Sequence, residues 1–279
     1  MMLVADSGST KTDWVLVCEG KQESHSTMGY NPYFISSEGI YQSLTTQLSS
    51  KLDPLEVKEI FFYGAGCSTP ENNAIVRIAL AKAFPGAKIL VEHDLLAAAR
   101  ALLKERRGFA AILGTGSNTC IYNGNSIEQN IDSLGYLLGD EGSGSYIGKK
   151  IVRDFMRGYL PSHLEEKFTE RYRLSAPEIF QKLYEQPSPN RFLANFCRFA
   201  SDHKNEEYIQ ELVTISFTDF FSQQVTRYKG YNSHTFNCVG SVGHLFKEEL
   251  QGVATRFNMG VQKIIPAPIG ELVQYHLQK

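Results

Sequence analysis

The chain has 279 residues, 42% of them hydrophobic, with a formal charge of -2 and a pI near 6.4. Domains commonly run about 100 to 150 residues, so this length predicts two compact domains with ordinary cores. The near-neutral balance gives no global attraction to nucleic acid or acidic membranes, and no apolar run reaches the roughly 18 residues of a membrane span, so neither is an expected partner. The chain enters an apolar strand at once, without a basic region leading a long apolar stretch, which predicts no secretory or targeting segment. Its five cysteines, Cys18, Cys67, Cys120, Cys197 and Cys238, are scattered and mostly set in apolar segments, a pattern suited to buried thiols in a reducing cytoplasm.

Met2-Leu3-Val4-Ala5 is an apolar run that stops at Asp6-Ser7-Gly8-Ser9-Thr10, and Trp14 to Cys18 leads away again. This reads as strand, tight turn, strand. Gly8 would let the backbone approach a phosphate, with Ser7, Ser9 and Thr10 adding hydroxyl and amide donors, while Asp6 would stand where a hydrated magnesium ion can hang. The same residues also suit any hairpin turn for backbone reasons alone. Gln22 to Met28 predicts a third strand, broken by Gly29-Tyr30-Asn31-Pro32. Ser36 to Leu52 reads as a helix with Ile40, Leu44 and Leu48 on one face and Ser36 or Ser37 as cap. Lys58 to Tyr63 is an aromatic strand. Thr69-Pro70-Glu71 opens a helix whose Ile75, Ile78, Ala79 and Ala83 share a side. Lys88 to Glu92 is a strand, and His93-Asp94 leads into the Ala-rich helix Leu95 to Leu103. Three strands followed by alternating helices and strands predict a mixed α/β layered domain.

The pattern then begins again. Gly108 to Leu113 matches the first apolar run, Gly114-Thr115-Gly116-Ser117-Asn118 answers the first turn, and Thr119 to Tyr122 repeats the outgoing strand. Such a repeat predicts an internally duplicated, two-domain fold. Gly142 to Tyr228 is largely helical, and Asn205 to Tyr228 is a long helix whose Ile209, Leu212, Val213, Phe217, Phe220 and Phe221 form a core stripe. Thr235 to Gly240 is a strand, Ser241-Val242-Gly243 begins a helix to Arg256, and Lys263 to Pro268 and a helix from Gly270 close the chain. The expected domains are residues 1–106 with the final helix, 267–279, and residues 107–266 with a helical insert.

Two glycine-and-hydroxyl turns can hold a nucleotide phosphate chain, and Gly240-Ser241-Val242-Gly243 offers a bare backbone surface for an adenosine. Together with Gly139-Asp140-Glu141-Gly142-Ser143, these stretches come in the order and spacing of the N-acetylglucosamine kinase family, which the chain resembles almost end to end. That family lies in a broader group of ATPases that includes the activators of benzoyl-CoA reductase and 2-hydroxyglutaryl-CoA dehydratase. The resemblance implies an α/β, actin-like ATPase fold: two ribonuclease H-like domains, each a mixed sheet flanked by helices, hinged around a central cleft for ATP and magnesium. It implies ATP contacts at Asp6, Gly8, Ser9, Thr10 and Lys11, at Gly114, Thr115, Gly116 and Ser117, and at Gly240 and Ser241, with Asp6 as the magnesium anchor.

By the same resemblance Asp94 is the catalytic base that takes the proton of the attacking sugar hydroxyl. Read without it, Asp94 is a helix cap. Asn31 and Asp140 match sugar ligands, against an Asx turn for Asn31 and a helix N-cap for Asp140 at the start of a helix over residues 141–148. Glu141 is either a partner behind Asp140 or solvated, Lys11 either a phosphate contact or a solvated cation, and His93 and Asp13 are structural. Ser133-Leu134 replaces the Gly-Trp pair of animal members, so the N-acetyl pocket is expected to differ. The expected activity is an ATP-dependent phosphotransferase acting on the 6-hydroxyl of an N-acetylated amino sugar, N-acetylglucosamine first; a homodimer is left open. Two other classes compete: an iron–sulfur activator, disfavoured by the scattered cysteines, and a sugar sensor without turnover.

Overall fold

Strand-forming runs and turn residues build the same five-stranded sheet twice. The computed structural model describes residues 1–8, 10–49 and 52–278. The chain divides into two compact units, Met1–Arg106 with Gly124–Ile127 and Pro268–Lys279, and Arg107–Asn123 with Glu128–Ala267.

In the first unit, β1 (Met2–Ser7), β2 (Lys11–Cys18) and β3 (Lys21–Met28) form an antiparallel meander. They are followed by α1 (Ser37–Gln47), β4 (Glu59–Gly64), α2 (Pro70–Ala83), β5 (Lys88–His93) and α3 (Asp94–Leu103). The sheet order is β3-β2-β1-β4-β5, and β1, β4 and β5 run parallel. Trp14, Tyr30 and Phe62 are fully buried at its centre, with ring centroids 5.9 to 6.5 Å apart. Trp14 Nε1 donates to Thr27 Oγ1 at 3.0 Å, so the indole is buried with its donor satisfied. Truncating such a ring to alanine typically costs about 3–5 kcal/mol. Every residue of α3 from Leu95 to Leu103 except Arg100 is buried, which explains an apolar circumference in place of a stripe.

Helix α1 is shorter than the periodicity predicts. Ser36 caps it, its Oγ accepting from Gly39 N at 3.2 Å, but it stops at Gln47. Pro54 disfavours helix in the residue before it, and Asp53 instead accepts from Leu55 N to start a separate turn at Pro54–Glu56. Ser50 and Lys51 of the expected helix lie outside the described residues. In α2 the cap is Thr69, as read, but the buried stripe is Val76, Ala79, Leu80 and Ala83. Ile78, placed on that face from the sequence, is 60% exposed.

The second unit repeats the plan with β6 (Gly108–Leu113), β7 (Ser117–Tyr122) and β8 (Ile127–Ile131). Strand β8 had no sequence signal, because Ile127-Glu128-Gln129-Asn130-Ile131 lacks apolar alternation at an exposed edge. Next come α4 (Gly135–Leu138), α5 (Gly144–Met156), α6 (Ser162–Tyr172), α7 (Ala176–Tyr184), α8 (Pro189–Asn195), α9 (Cys197–Asp202) and α10 (Glu207–Gln223). Then follow β9 (Phe236–Val239), α11 (Ser241–Leu245), α12 (Lys247–Arg256) and β10 (Val261–Ile265). The order β10-β9-β6-β7-β8 mirrors the first sheet strand for strand. All six residues of the expected α10 stripe are buried. The single helix expected over 241–256 is two, broken at Phe246, whose ring enters the core.

Helix α13 (Ile269–Leu277) returns to the first unit. Leu272, Val273 and Tyr275 are buried, and the His276 ring stacks on Phe61 with centroids 3.7 Å apart. Tyr63 Oη lies 2.8 Å from His276 Nε2 and accepts from Arg100 Nη1 at 2.8 Å, which ties α13 to β4 and α3.

Candidate active site

Parallel strands end with their carboxyl termini side by side, and ligands in such sheets gather there. In the first unit β1 delivers Asp6 to that edge and β5 delivers Asp94. Asp6 faces Asp13 across the β1–β2 pair. Burial first, then the charges of Asp94 and Asp13, push the Asp6 carboxyl up to about 7, with Lys11 acting in the opposite sense. Lys11 itself is exposed and held 2.9 Å from Asp13 Oδ2. At Gly8 an added Cβ would meet only the Lys11 carbonyl oxygen, at 3.7 Å, so no packing inside the chain demands glycine there. Close approach by a ligand would demand it. Ser9 lies outside the described residues, and Thr10 is exposed.

Ser7, read as a phosphate donor, has another task. Tyr30 N–H donates to Ser7 Oγ at 3.0 Å, Ser7 lies 2.7 Å from Thr12 Oγ1, and Thr12 donates to the Met28 carbonyl at 2.9 Å. With the Thr12 proton spent on Met28, the Ser7 proton is committed to Thr12. That chain of bonds anchors the Gly29–Pro32 loop to the hairpin. In that loop Asn31 Oδ1 accepts from Tyr33 N at 3.0 Å, so the Asx turn is present.

Asp94 is the first residue of α3, and His93 occupies the cap position without a side-chain capping bond. The carboxylate of Asp94 therefore does not cap the helix. Its Oδ1 is buried against His93 Nε2 at 3.0 Å, an ion-pair contact without hydrogen-bond geometry, which leaves Oδ2 for a ligand. Burial alone would lower the His93 imidazole, but the adjacent Asp94 carboxylate raises it overall.

In the second unit β6 ends in the turn Gly114–Gly116. Gly144 N and Ser145 N, at the start of α5, donate to the Gly114 and Thr115 carbonyls at 2.8 and 3.0 Å, and Gly114 N donates to Gly116 O at 3.0 Å. The amides of Thr115 and Gly116 donate to no other described residue, and adjacent N–H groups at a turn are able to receive an anion. An added Cβ at Gly114 would meet nothing within 4 Å, whereas at Gly116 it would come within 3.1 Å of both Asp140 carboxylate oxygens. Gly240, beside this turn after β9, has φ +130, and a side chain there would collide with the Leu113 carbonyl. Ser241, the first residue of α11, is exposed.

Asp140 is not a helix cap: Ser143 caps α5, its Oγ accepting from Tyr146 N at 3.2 Å. Asp140 instead sits in the left-handed region with φ 55, only 6% exposed, and its Oδ1 accepts from Ser117 N at 3.0 Å. A non-glycine residue held there marks a backbone fixed by its surroundings. Burial pushes its carboxyl up to about 6, against the opposing bonds from the Ser117 amide and the Ser133 side chain. Ser117 thus keeps only its hydroxyl for a phosphate. The Ser133 carbonyl accepts from Asp140 N at 2.9 Å, and the adjoining Leu134 is left-handed, with φ 60, and exposed.

Sequence reasoning missed Gln224, which is 2% exposed and donates to both Ser117 Oγ and Glu141 Oε2. Nothing local marks it: it follows a stripe of core aromatics. Cys67, Cys120, Cys197 and Cys238 are buried, free thiols. Burial pushes the Cys67, Cys120 and Cys197 thiols up to about 12 and raises Cys238 in the same direction. Among the described residues no helix is long and apolar enough to cross a membrane.

No protein-family model matches the chain, and no curated protein matches it. Solved structures do. A Porphyromonas gingivalis protein provisionally named as an N-acetylglucosamine kinase is 36% identical, with TM-score 0.95 over 100% of this chain and 99% of that one. A Chromobacterium violaceum protein provisionally given the same name is 15% identical, with TM-score 0.74 over 100% and 98% of the two chains. A non-polymerising MamK variant bound to AMPPNP is 11% identical, with TM-score 0.51 over 99% and 97%. At these low identities the latter two show a shared fold alone.

Proposed function

The chain belongs to the N-acetylglucosamine kinase family, with an actin-like fold of two ribonuclease H-like units, and from that premise we propose that it transfers the γ-phosphoryl group of ATP to the 6-hydroxyl of an N-acetylated amino sugar, N-acetylglucosamine foremost. The observation that carries this reading is Asp94. Its carboxylate has no capping duty, one oxygen rests on His93, and the other is left to accept the sugar hydroxyl proton. In the first unit Gly8, Thr10 and Lys11 accompany it as phosphate contacts, with Ser9 assigned by the family motif alone. In the second unit the amides of Thr115 and Gly116 and the Ser117 hydroxyl hold phosphate oxygens, and the Gly240-Ser241 backbone receives the adenosine. Asp140, whose Oδ1 is fixed by Ser117, offers Oδ2 to sugar hydroxyls, and Asn31 serves the same ligand.

Magnesium fits Asp6. A carboxyl pushed up to about 7 by burial and by two neighbouring acids gains most from a nearby cation. When bound, the ion neutralises phosphate charge in the transition state. The buried free thiols support a reducing, cytoplasmic setting.

The test is an ATP-coupled assay with N-acetylglucosamine, N-acetylmuramic acid, N-acetylmannosamine and glucose. Turnover is expected with at least one N-acetylated sugar, and Asp94→Asn should lower kcat about a thousandfold while MgATP binding and folding persist. Bound ATP with no turnover on any sugar would instead favour a sensor, and near-normal turnover of Asp94→Asn would remove it as the base.

A further inference from the structure

Gln224 closes a ring of hydrogen bonds that no motif announces. It stands directly after α10, where Gln224 N donates to the Phe220 carbonyl at 3.0 Å, and its side chain reaches back across 107 residues to the second turn. One nitrogen, Nε2, lies 3.0 Å from Ser117 Oγ and 3.1 Å from Glu141 Oε2. A carboxylate can only accept, so the amide nitrogen must face Glu141, and its two protons serve one partner each. Ser117 N in turn donates to Asp140 Oδ1, and Asp140 precedes Glu141 in the chain. The circuit Asp140, Ser117, Gln224, Glu141 therefore locks the phosphate turn to the loop that carries the sugar carboxylate. Gln224 is 2% exposed, and its Oε1 is buried without a partner among the described residues, an arrangement that costs free energy and that packing alone would not select.

We propose that Gln224 is a positioning residue for phosphoryl transfer: by donating to Ser117 Oγ it turns the Ser117 hydroxyl proton outward to a phosphate oxygen, and by holding Glu141 it keeps Asp140 in register with that turn. This rests on the kinase reading above. A hydroxyl that already accepts from Nε2 has its proton left over for a ligand. Without that donor the hydroxyl is free to turn its proton toward the Glu141 carboxylate or away from the ligand altogether.

The experiment is a double-substitution cycle between Gln224→Met and Ser117→Ala, read as kcat and KM for MgATP with N-acetylglucosamine, as MgATP affinity by calorimetry, and as melting temperature. Gln224→Met, close in volume but without a donor, is expected to raise KM for MgATP about tenfold. In the Ser117→Ala background the same change should add less than about twofold, because the hydroxyl it orients is gone. Effects that multiply in full would overturn the inference, as would a loss explained by the unfolded fraction at the assay temperature. Should Gln224→Met not fold, Gln224→Glu, which keeps the shape and sets an acceptor against Glu141, takes its place in the cycle under the same criteria. Failure of the unsubstituted protein to bind MgATP would overturn the kinase reading and this inference with it, whereas binding and turnover with fully multiplicative effects would overturn this inference alone.

Discussion

Across β1 and β2 the residues paired one step before the first turn are Asp6 and Asp13; across β6 and β7 the corresponding pair is Ile112 and Asn118. The strand plan around the two pairs is the same, yet the first unit sets two carboxylates opposite each other and the second sets none. Like charges across a strand pair are unfavourable, and here they help push Asp6 up to about 7. The second turn answers with N–H groups: the amides of Thr115 and Gly116 have no partner among the described residues, while the Gly114 and Thr115 carbonyls are taken up by the start of α5. The same strand plan thus carries a different polar set in each unit, facing carboxylates in the first and turn amides without a partner among the described residues in the second.

The strongest way to break this contrast is Asp6→Asn. It removes the cation side and should lower kcat/KM for MgATP about a hundredfold in steady-state assays, with the fold kept by circular dichroism. An unchanged rate would show that the first turn holds no metal. Next is a paired comparison within the second turn. Gly116→Ala places a Cβ within 3.1 Å of both Asp140 oxygens, so Asp140 must shift. Denaturant unfolding should show a loss of about 1–2 kcal/mol, and KM for the sugar should rise. Gly114→Ala, with open space around it, should stay within about 0.5 kcal/mol of the parent and weaken ATP alone.

The smallest effect is the dependence of stability on pH. Between the ordinary 3.8 and about 7, the folded protein holds the Asp6 proton more tightly than the unfolded chain does. Stability from this group is therefore greatest in acid and falls as pH rises through that window. Asp140, pushed up to about 6, contributes in the same direction. Melting temperatures measured without magnesium should show a component of decline that Asp6→Asn removes and that added Mg2+ offsets near neutral pH. A pH profile identical in the parent and Asp6→Asn would contradict the raised carboxyl.

What could be read from the sequence was whatever is local. Met2 to Thr10 and Gly108 to Ser117 carry an apolar run and its stop signal within a dozen residues, enough to place two hairpins and to suggest duplication. The two matching sheets confirm that suggestion. Asp94 was visible because a strand and an Ala-rich helix meet there. Strand β8 was hidden because an exposed edge needs no apolar alternation. For Asp140 the sequence left a helix cap standing beside the sugar-ligand reading, because Asp before a helix is common; its left-handed backbone and the Ser143 cap remove the cap alternative. Ser7 looks like a phosphate donor in a linear reading, and the chain of bonds that occupies it runs through Thr12, Tyr30 and Met28. Gln224 lies furthest from view, since its partners come from two other loops.

Helix α13 has a consequence for how the protein is made. The first unit's strands and helices are translated before the second unit, but Leu272, Val273 and Tyr275 cover its sheet, and His276 meets Phe61 and Tyr63, only once residues 269–277 have followed that unit off the ribosome. The second unit is synthesised whole in between and can close on its own residues first. Order of completion is thus the reverse of order of synthesis, and the nascent first unit waits with an uncovered apolar face, the kind of surface that chaperones shield and that aggregates when they do not.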